Sequence, residues 1–172
     1  MYEREADFEE LQRLLDTTYE HAGSHLLSIV GPDRRLGARA LAAELAGYCL
    51  LSLATVSSTS KPLVSPVDAI FYRGHFYFST GEDALRRRHI NRDPRVSGSF
   101  VPRPEFAVTV HGVAAVVDQH RDDMVEFNDA LIETFVPLFG AGFADFVEET
   151  PSYYRVEADK MYCYFRSSDA SQ

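Results

Sequence analysis

Phe8, Leu11, Leu14, Leu15 and Tyr19 recur at helical spacing with acids and Arg13 between them, so residues 5 to 22 read as an amphipathic helix. Its acids crowd the first turns, where they suit the helix dipole. The breaker Gly31-Pro32-Asp33 separates it from a second short helix, Gly37 to Ala46, rich in Ala and Leu and stopped by Gly47. From Tyr48 the period shortens to that of strands. Leu50 to Val56 is apolar and partly β-branched, Ser57 to Lys61 is a polar loop, and Leu63 to Phe71 follows. Arg73-Gly74 supplies a turn into the aromatic strand His75 to Ser79. A short helix is predicted from Glu82 to Asn91, ended by Asp93-Pro94. Three more strands follow, at Arg95 to Val101, Phe106 to Val117 and Tyr153 to Phe165. Between the last two lies a helical insert, Asp122 to about Phe135, with a further short helix near Phe143 to Glu148.

Six strands with one short helix mid-order and the other helices outside predict a small antiparallel barrel, α+β in class and mainly β. Residues 1–172 form a single domain: N-terminal helices over 1–47, the barrel core over 48–118 and 153–165, and the insert over 119–152. A chain of 172 residues buries roughly 70% of its unfolded surface, enough for a core that frames a pocket. Nine tyrosines and twelve phenylalanines argue against disorder. Cys49 and Cys163 each sit in an apolar run and read as two core thiols rather than a disulfide.

Charge narrows the function classes. Asp and Glu outnumber Lys and Arg by 26 to 17, a net charge of −9. Nucleic acid and anionic membranes call for a basic footprint, so neither is expected as a partner. No apolar run approaches the roughly 20 residues that span a bilayer, and the acidic N-terminus lacks the order of a signal peptide. The expected location is the cytoplasm.

Phosphate-loop, Gly-x-Gly-x-x-Gly, His-Glu-x-x-His and Cys-x-x-Cys signatures are absent. Phe139-Gly140-Ala141-Gly142 reads as a helix C-cap turn. His21 and His25 stand four apart, on what reads as one helix; with no third ligand in view, a solvated face accounts for them and no metal site is expected. The informative stretch is Phe76 to Val96. Residues 82 to 95 carry five arginines against three acids, a positive island in an acidic chain. A strand that delivers the Ser79 and Thr80 hydroxyls to the start of a helix, followed by arginines, is a physically sound anion site. Helical neighbours lie about 100° apart, so only one or two of Arg86, Arg87 and Arg88 are able to face one phosphate.

The order of these elements resembles the pyridoxamine 5'-phosphate oxidase-like, FMN-binding split-barrel superfamily. Its marks are Leu53-Ala54-Thr55-Val56, Lys61-Pro62-Leu63-Val64-Ser65-Pro66-Val67, Phe78-Ser79-Thr80, Arg86-Arg87-Arg88-His89-Ile90, Asp93-Pro94-Arg95-Val96 and Val108-Thr109-Val110-His111-Gly112-Val113-Ala114. The resemblance implies a six-stranded Greek-key split barrel, dimeric, with the cofactor at the subunit interface. It implies that Val64, Ser65, Pro66 and Val67 run along a flavin ring, that Ser79 and Thr80 lie beside the ribityl and phosphate, and that Arg86 grips the phosphate. Arg86 stands eight residues before Pro94, as the family's phosphate-gripping Lys or Arg does, and His89 falls where Asn or Gln is commoner. The partner half of the pocket is expected from near Phe106 and Tyr164.

The sequence also departs from the family. The Arg-x-His element with which true pyridoxamine 5'-phosphate oxidases bind their product is missing from Arg166 to Gln172, which speaks against vitamin synthesis. The acidic N-terminal helix and the insert fall outside the common core and are expected to shape the pocket mouth or thicken the dimer. The implied function is an FMN-dependent oxidoreductase acting on an unidentified small organic molecule. No catalytic residue is named, because the cofactor carries such chemistry. Two alternatives are a deazaflavin coenzyme, whose longer anionic tail Arg87 and Arg88 would suit, and a noncatalytic flavin or haem carrier or stress-response protein with His75, His89 or His111 as haem ligand. A third is a dimeric interaction module that binds no cofactor.

Overall fold

The computed structural model describes residues 1–149 and 153–167. Residues 168–172, part of the stretch in which an Arg-x-His element is not expected, lie outside the described residues, as do residues 150–152 of the insert. Strands β1 (Tyr48–Val56), β2 (Pro62–Tyr72), β3 (His75–Ser79), β4 (Arg95–Arg103), β5 (Phe106–Val117) and β6 (Tyr153–Phe165) close into an antiparallel barrel in the order β1-β2-β3-β6-β5-β4. Strand β4 returns beside β1, the Greek-key arrangement that the resemblance implies.

Period-two alternation sets the faces. In β1, Cys49, Leu51, Leu53 and Thr55 are buried, while Leu50 and Ser52 are exposed. Phe71, Phe76, Phe78, Phe106, Val108 and Tyr154 join them to fill the interior. Arg73 and Gly74 both take positive φ, 47° and 83°, as a two-residue turn between twisted strands requires. Strand β6 gains one residue on β5 where pairing shifts between His111–Lys160 and Gly112–Ala158.

Helix α1 (Glu5–Glu20) lies along β6 and closes one end of the barrel with α3 (Ala38–Glu44). Past Arg155 the pairing of β6 with β3 ends, and side chains of α1 take over. The Met161 amide donates to Thr18 Oγ1 (3.1 Å) and the Cys163 amide to the Tyr19 hydroxyl (3.0 Å). A short α2 (Ser24–Ile29) was not expected; it buries no side chain fully, so its sequence carries little periodic signal. Because α1 ends at Glu20 and Gly23 starts α2, His21 and His25 stand on different elements and not on one helix face. Among the described residues no three metal-ligating side chains converge, and no helix is long and apolar enough to cross a membrane.

Helix α4 (Leu85–Arg92) starts three residues later than its predicted start, because Gly81 to Ala84 form a turn in which the Ala84 amide donates to the Gly81 carbonyl (3.0 Å). The insert forms α5 (Val125–Phe139) and α6 (Gly142–Glu149), and α5 runs past its expected end through Pro137. Gly140 ends it at φ 89°, with its amide on the Val136 carbonyl, the C-cap turn read from the sequence. Phe127, Ala130, Leu131 and Phe135 of α5 bury Ile70, Tyr72, Tyr77 and Tyr153 on the outer barrel wall, a second core separate from the interior. Cys49 and Cys163 are free and buried, as expected.

Among the glycines of the barrel, Gly112 leaves the least room for a side chain. A methyl group there would sit 2.0 Å from the Glu157 carbonyl oxygen, a backbone atom that cannot rotate away. Gly112→Ala is therefore expected to cost at least about 1–3 kcal/mol, read as a lower urea midpoint; an unchanged midpoint would show that β5 and β6 do not approach this closely.

Candidate functional site

The late start of α4 puts Arg86 on its first turn, beside the end of β3 and over the middle of β2. Arg86 Nη2 donates to Ser65 Oγ (2.7 Å) and to the Pro66 carbonyl (2.9 Å), and Nη1 approaches Thr80 Oγ1 at 3.5 Å. Its Nε is buried without a partner. Burial pulls the guanidinium pKa down from its ordinary value, yet Arg remains charged at any physiological pH. No side chain caps α4, so its first amides remain free donors pointing the same way.

These groups wall a cleft of about 380 Å³ lined by Leu50, Pro66, Val67, Asp68, Ser79, Thr80, Gly81, Ala84 and Arg86. Of the residues singled out in the sequence, the fold brings Ser65, Pro66, Val67, Ser79, Thr80 and Arg86 together here. Val64 lies outside the lining and is 67% exposed on the outer barrel face. His89 is turned inward, where its Nδ1 meets Thr55 Oγ1 at 3.0 Å in a buried pair. Phe106 is fully buried against Phe100 inside the barrel, so only its neighbours on β5, and not its own side chain, are open to a partner subunit. Tyr164 is half-buried, with the Arg34 guanidinium 5.9 Å from its ring.

The remaining arginines of the positive island mostly have partners. Arg87 pairs with Glu82 (3.2 Å) and Arg95 with Asp93 (2.7 Å). Arg92 donates to the Val56 carbonyl (2.7 Å) and to that of Ser57, which ties the end of α4 to the loop after β1. Arg88 is exposed.

Sequence reasoning missed a second chamber that shares Asp68 and Ser79 with the first. It has a volume of about 220 Å³, and its walls are Tyr77 and Tyr153 of the barrel and Phe135, Phe139, Phe143 and Phe146 of the insert. The insert thus shapes one side of the pocket, whereas α1 lines neither chamber. The missed signal is the aromatic stripe Phe135, Phe139, Phe143, Phe146, spaced at helical intervals across the Gly140 turn. At the junction, the Tyr48 hydroxyl donates to Asp68 Oδ1 (2.7 Å). Burial, and then the Asp68 carboxylate, push the Tyr48 pKa up to about 12. Burial pushes Tyr153 up to about 12 as well, against a hydrogen bond with Ser79 that works the other way.

Residues 38–156 match the sequence profile of the family described as pyridoxamine 5'-phosphate oxidase. No curated protein matches the sequence. Among solved structures, a conserved hypothetical protein from Mycobacterium tuberculosis is similar over 78% of this chain and 88% of its own, with a TM-score of 0.62 at 16% identity. A FAD-binding protein from Mesorhizobium loti is similar over 76% of this chain and 93% of its own (TM-score 0.57, 17% identity). The haem storage protein HutZ from Vibrio cholerae covers 76% of this chain and 88% of its own (TM-score 0.51, 16% identity). Likeness at such identities establishes the shared fold.

The raised tyrosines make stability depend on alkali. At Tyr48 and Tyr153, alongside other buried tyrosines and Cys49, the folded state keeps protons that an unfolded chain releases, so the contribution of these two is whole below pH 10 and is lost as pH rises through about 12. The urea midpoint is expected to fall from pH 10 upward, and Tyr48→Phe with Tyr153→Phe to flatten that fall; an equally steep fall in the double variant would refute the assignment.

Proposed function

The chain belongs to the pyridoxamine 5'-phosphate oxidase family, and from that membership we propose that it is a homodimeric, cytoplasmic FMN-binding oxidoreductase acting on a small organic substrate. The observation that carries this reading is the Arg86 cleft. A half-buried guanidinium with an unpartnered Nε, two hydroxyls and an uncapped helix start converge where a phosphomonoester would sit. Pro66 and Leu50 offer an apolar wall for a flat ring alongside it, with the Val67 side chain turned into the barrel core behind them. When bound, the flavin supplies the redox chemistry, a hydride exchanged between its ring and the substrate. The chain's own work is to neutralise the phosphate through Arg86, orient the tail through Ser79 and Thr80, and shield the ring from water along β2.

Two rivals find less support. The longer anionic tail of a deazaflavin coenzyme would call on Arg87 and Arg88; Glu82 engages Arg87, and Arg88, though exposed, lies outside the cleft lining. Haem would need an axial ligand, and His75, His89 and His111 all lie outside the cleft lining; His111 is held by Ser97 Oγ at 2.8 Å on the outer face.

Dimerisation is supported by the outer face of β2, β1 and β4. Val64, Pro66, Leu50, Ser52, Ser99 and Val101 are outward positions there, mostly exposed and uncharged, in a chain where a quarter of residues carry charge. Such a patch marks an interface, and it runs into the cleft through Pro66 and Leu50.

Purified protein is expected to take up FMN with the flavin absorption spectrum. Arg86→Ala should weaken it about tenfold or more, the cost of a charge-assisted contact, while Arg87→Ala leaves it unchanged. Failure of the wild type to take up FMN, or equal affinity in Arg86→Ala, would sink the reading; a Soret band with added haem, or deazaflavin uptake alone, would redirect it. In light scattering, Val64→Asp should convert the dimer to a monomer; a Val64→Asp protein that stays dimeric would move the interface elsewhere.

A further inference from the structure

The aromatic chamber beyond Asp68 has no part in holding a phosphate. It lies on the other side of the residues it shares with the Arg86 cleft, so a molecule in it would adjoin one bound over β2. Its outer wall is phenylalanine, in an order that the rest of the fold does not demand. Phe135 belongs to the second core and is buried, but Phe139 and Phe146 remain 53% and 47% exposed and turn their rings to the chamber. Neighbouring rings along this wall stand 4.9 to 5.9 Å apart in tilted and stacked arrangements. Aromatic rings prefer those separations and angles with one another, and a flat guest would extend the same array.

Size and polarity narrow the guest further. A dry cavity of roughly 150 Å³ holds benzene, so about 220 Å³ suits one or two fused rings and is too small for a nucleotide or a long acyl chain. The one carboxylate in the lining is Asp68, exposed at the junction. Its Oδ1 accepts the Tyr48 hydroxyl, and the carboxylate, which lines both chambers, has further acceptor positions to offer. An ionised carboxylate only accepts, so it selects a guest with an O–H or N–H to donate.

We infer that this chamber is the substrate subsite, and that it takes a planar aromatic molecule of one or two rings whose hydroxyl or amine donates to Asp68. Calling the occupant a substrate rests on the flavin reading above; the binding itself does not.

The test is equilibrium dialysis of 2-naphthol against the intact protein loaded with FMN, with the FMN content read in the same samples. The wild type binds 2-naphthol. Phe139→Ala and Phe146→Ala each weaken it about tenfold, the loss expected for removing one side of an apolar wall. Both positions are half-exposed, and circular dichroism checks that the variants fold. Asp68→Asn weakens 2-naphthol while leaving 2-methoxynaphthalene, which has no donor, bound as before. Absence of 2-naphthol binding, or binding that none of the three substitutions alters, overturns the inference even where FMN is retained. If FMN is not taken up but 2-naphthol binds and responds to the substitutions, the chamber stands and the cofactor reading alone falls.

Discussion

A six-stranded barrel of this size has no room inside. Leu51, Leu53, Phe71, Phe76, Phe78, Phe106 and Tyr154 meet across its axis and are almost wholly buried. At about 1.5–3 kcal/mol for each large apolar side chain buried, that packing is what pays the entropy of ordering the strands. Everything chemical is thereby pushed to the outer wall. The outer wall is then divided: α5 and α6 cover β2, β3 and β6 with a second apolar core, and the region between that core and α4 is left open. Both chambers occupy this gap, and the residues they share belong to strands whose opposite faces are locked in the filled interior. Asp68, for instance, lies between Val67 and Ala69, both buried.

Much of this was legible along the chain. The apolar, partly β-branched run of β1, the Arg73-Gly74 turn and the C-cap at Gly140 are local signals, and the fold follows them. The polar side of the site was legible too, because Ser79, Thr80 and Arg86 lie within eight residues of one another at a strand-to-helix junction. The chambers' other walls were not. Tyr48 meets Asp68 only through the β1–β2 register, which sets Leu50 opposite Asp68, and the insert phenylalanines reach the barrel from some seventy residues downstream. That His89 turns into a buried pair and Phe106 packs inside the barrel was hidden for a related reason. Position on an element fixes which face a side chain takes, but not whether that face meets a cleft or another strand's core.

The electrostatic pattern has the same origin. A net charge of −9 and a run of arginines look contradictory in the sequence. In the fold, Glu82 and Asp93 each take an arginine, and carbonyls at the end of β1 take Arg92. These contacts are exposed and each contributes little to stability. Their effect is on direction: they hold neighbouring side chains away from the cleft and leave Arg86 as the cation that lines it.

Helix α1 has a consequence beyond packing. Strand β6 outruns its partner β3, and from Val156 onward one side of it would present unpaired amides to solvent. Thr18 and Tyr19 accept the Met161 and Cys163 amides, side chains standing in for a missing strand. An open strand edge is a template on which any extended peptide can polymerise. The acidic N-terminal helix thereby guards against misassembly: it occupies the hydrogen-bonding seam of β6 beyond its pairing with β3, and it does so with groups that cannot propagate a sheet.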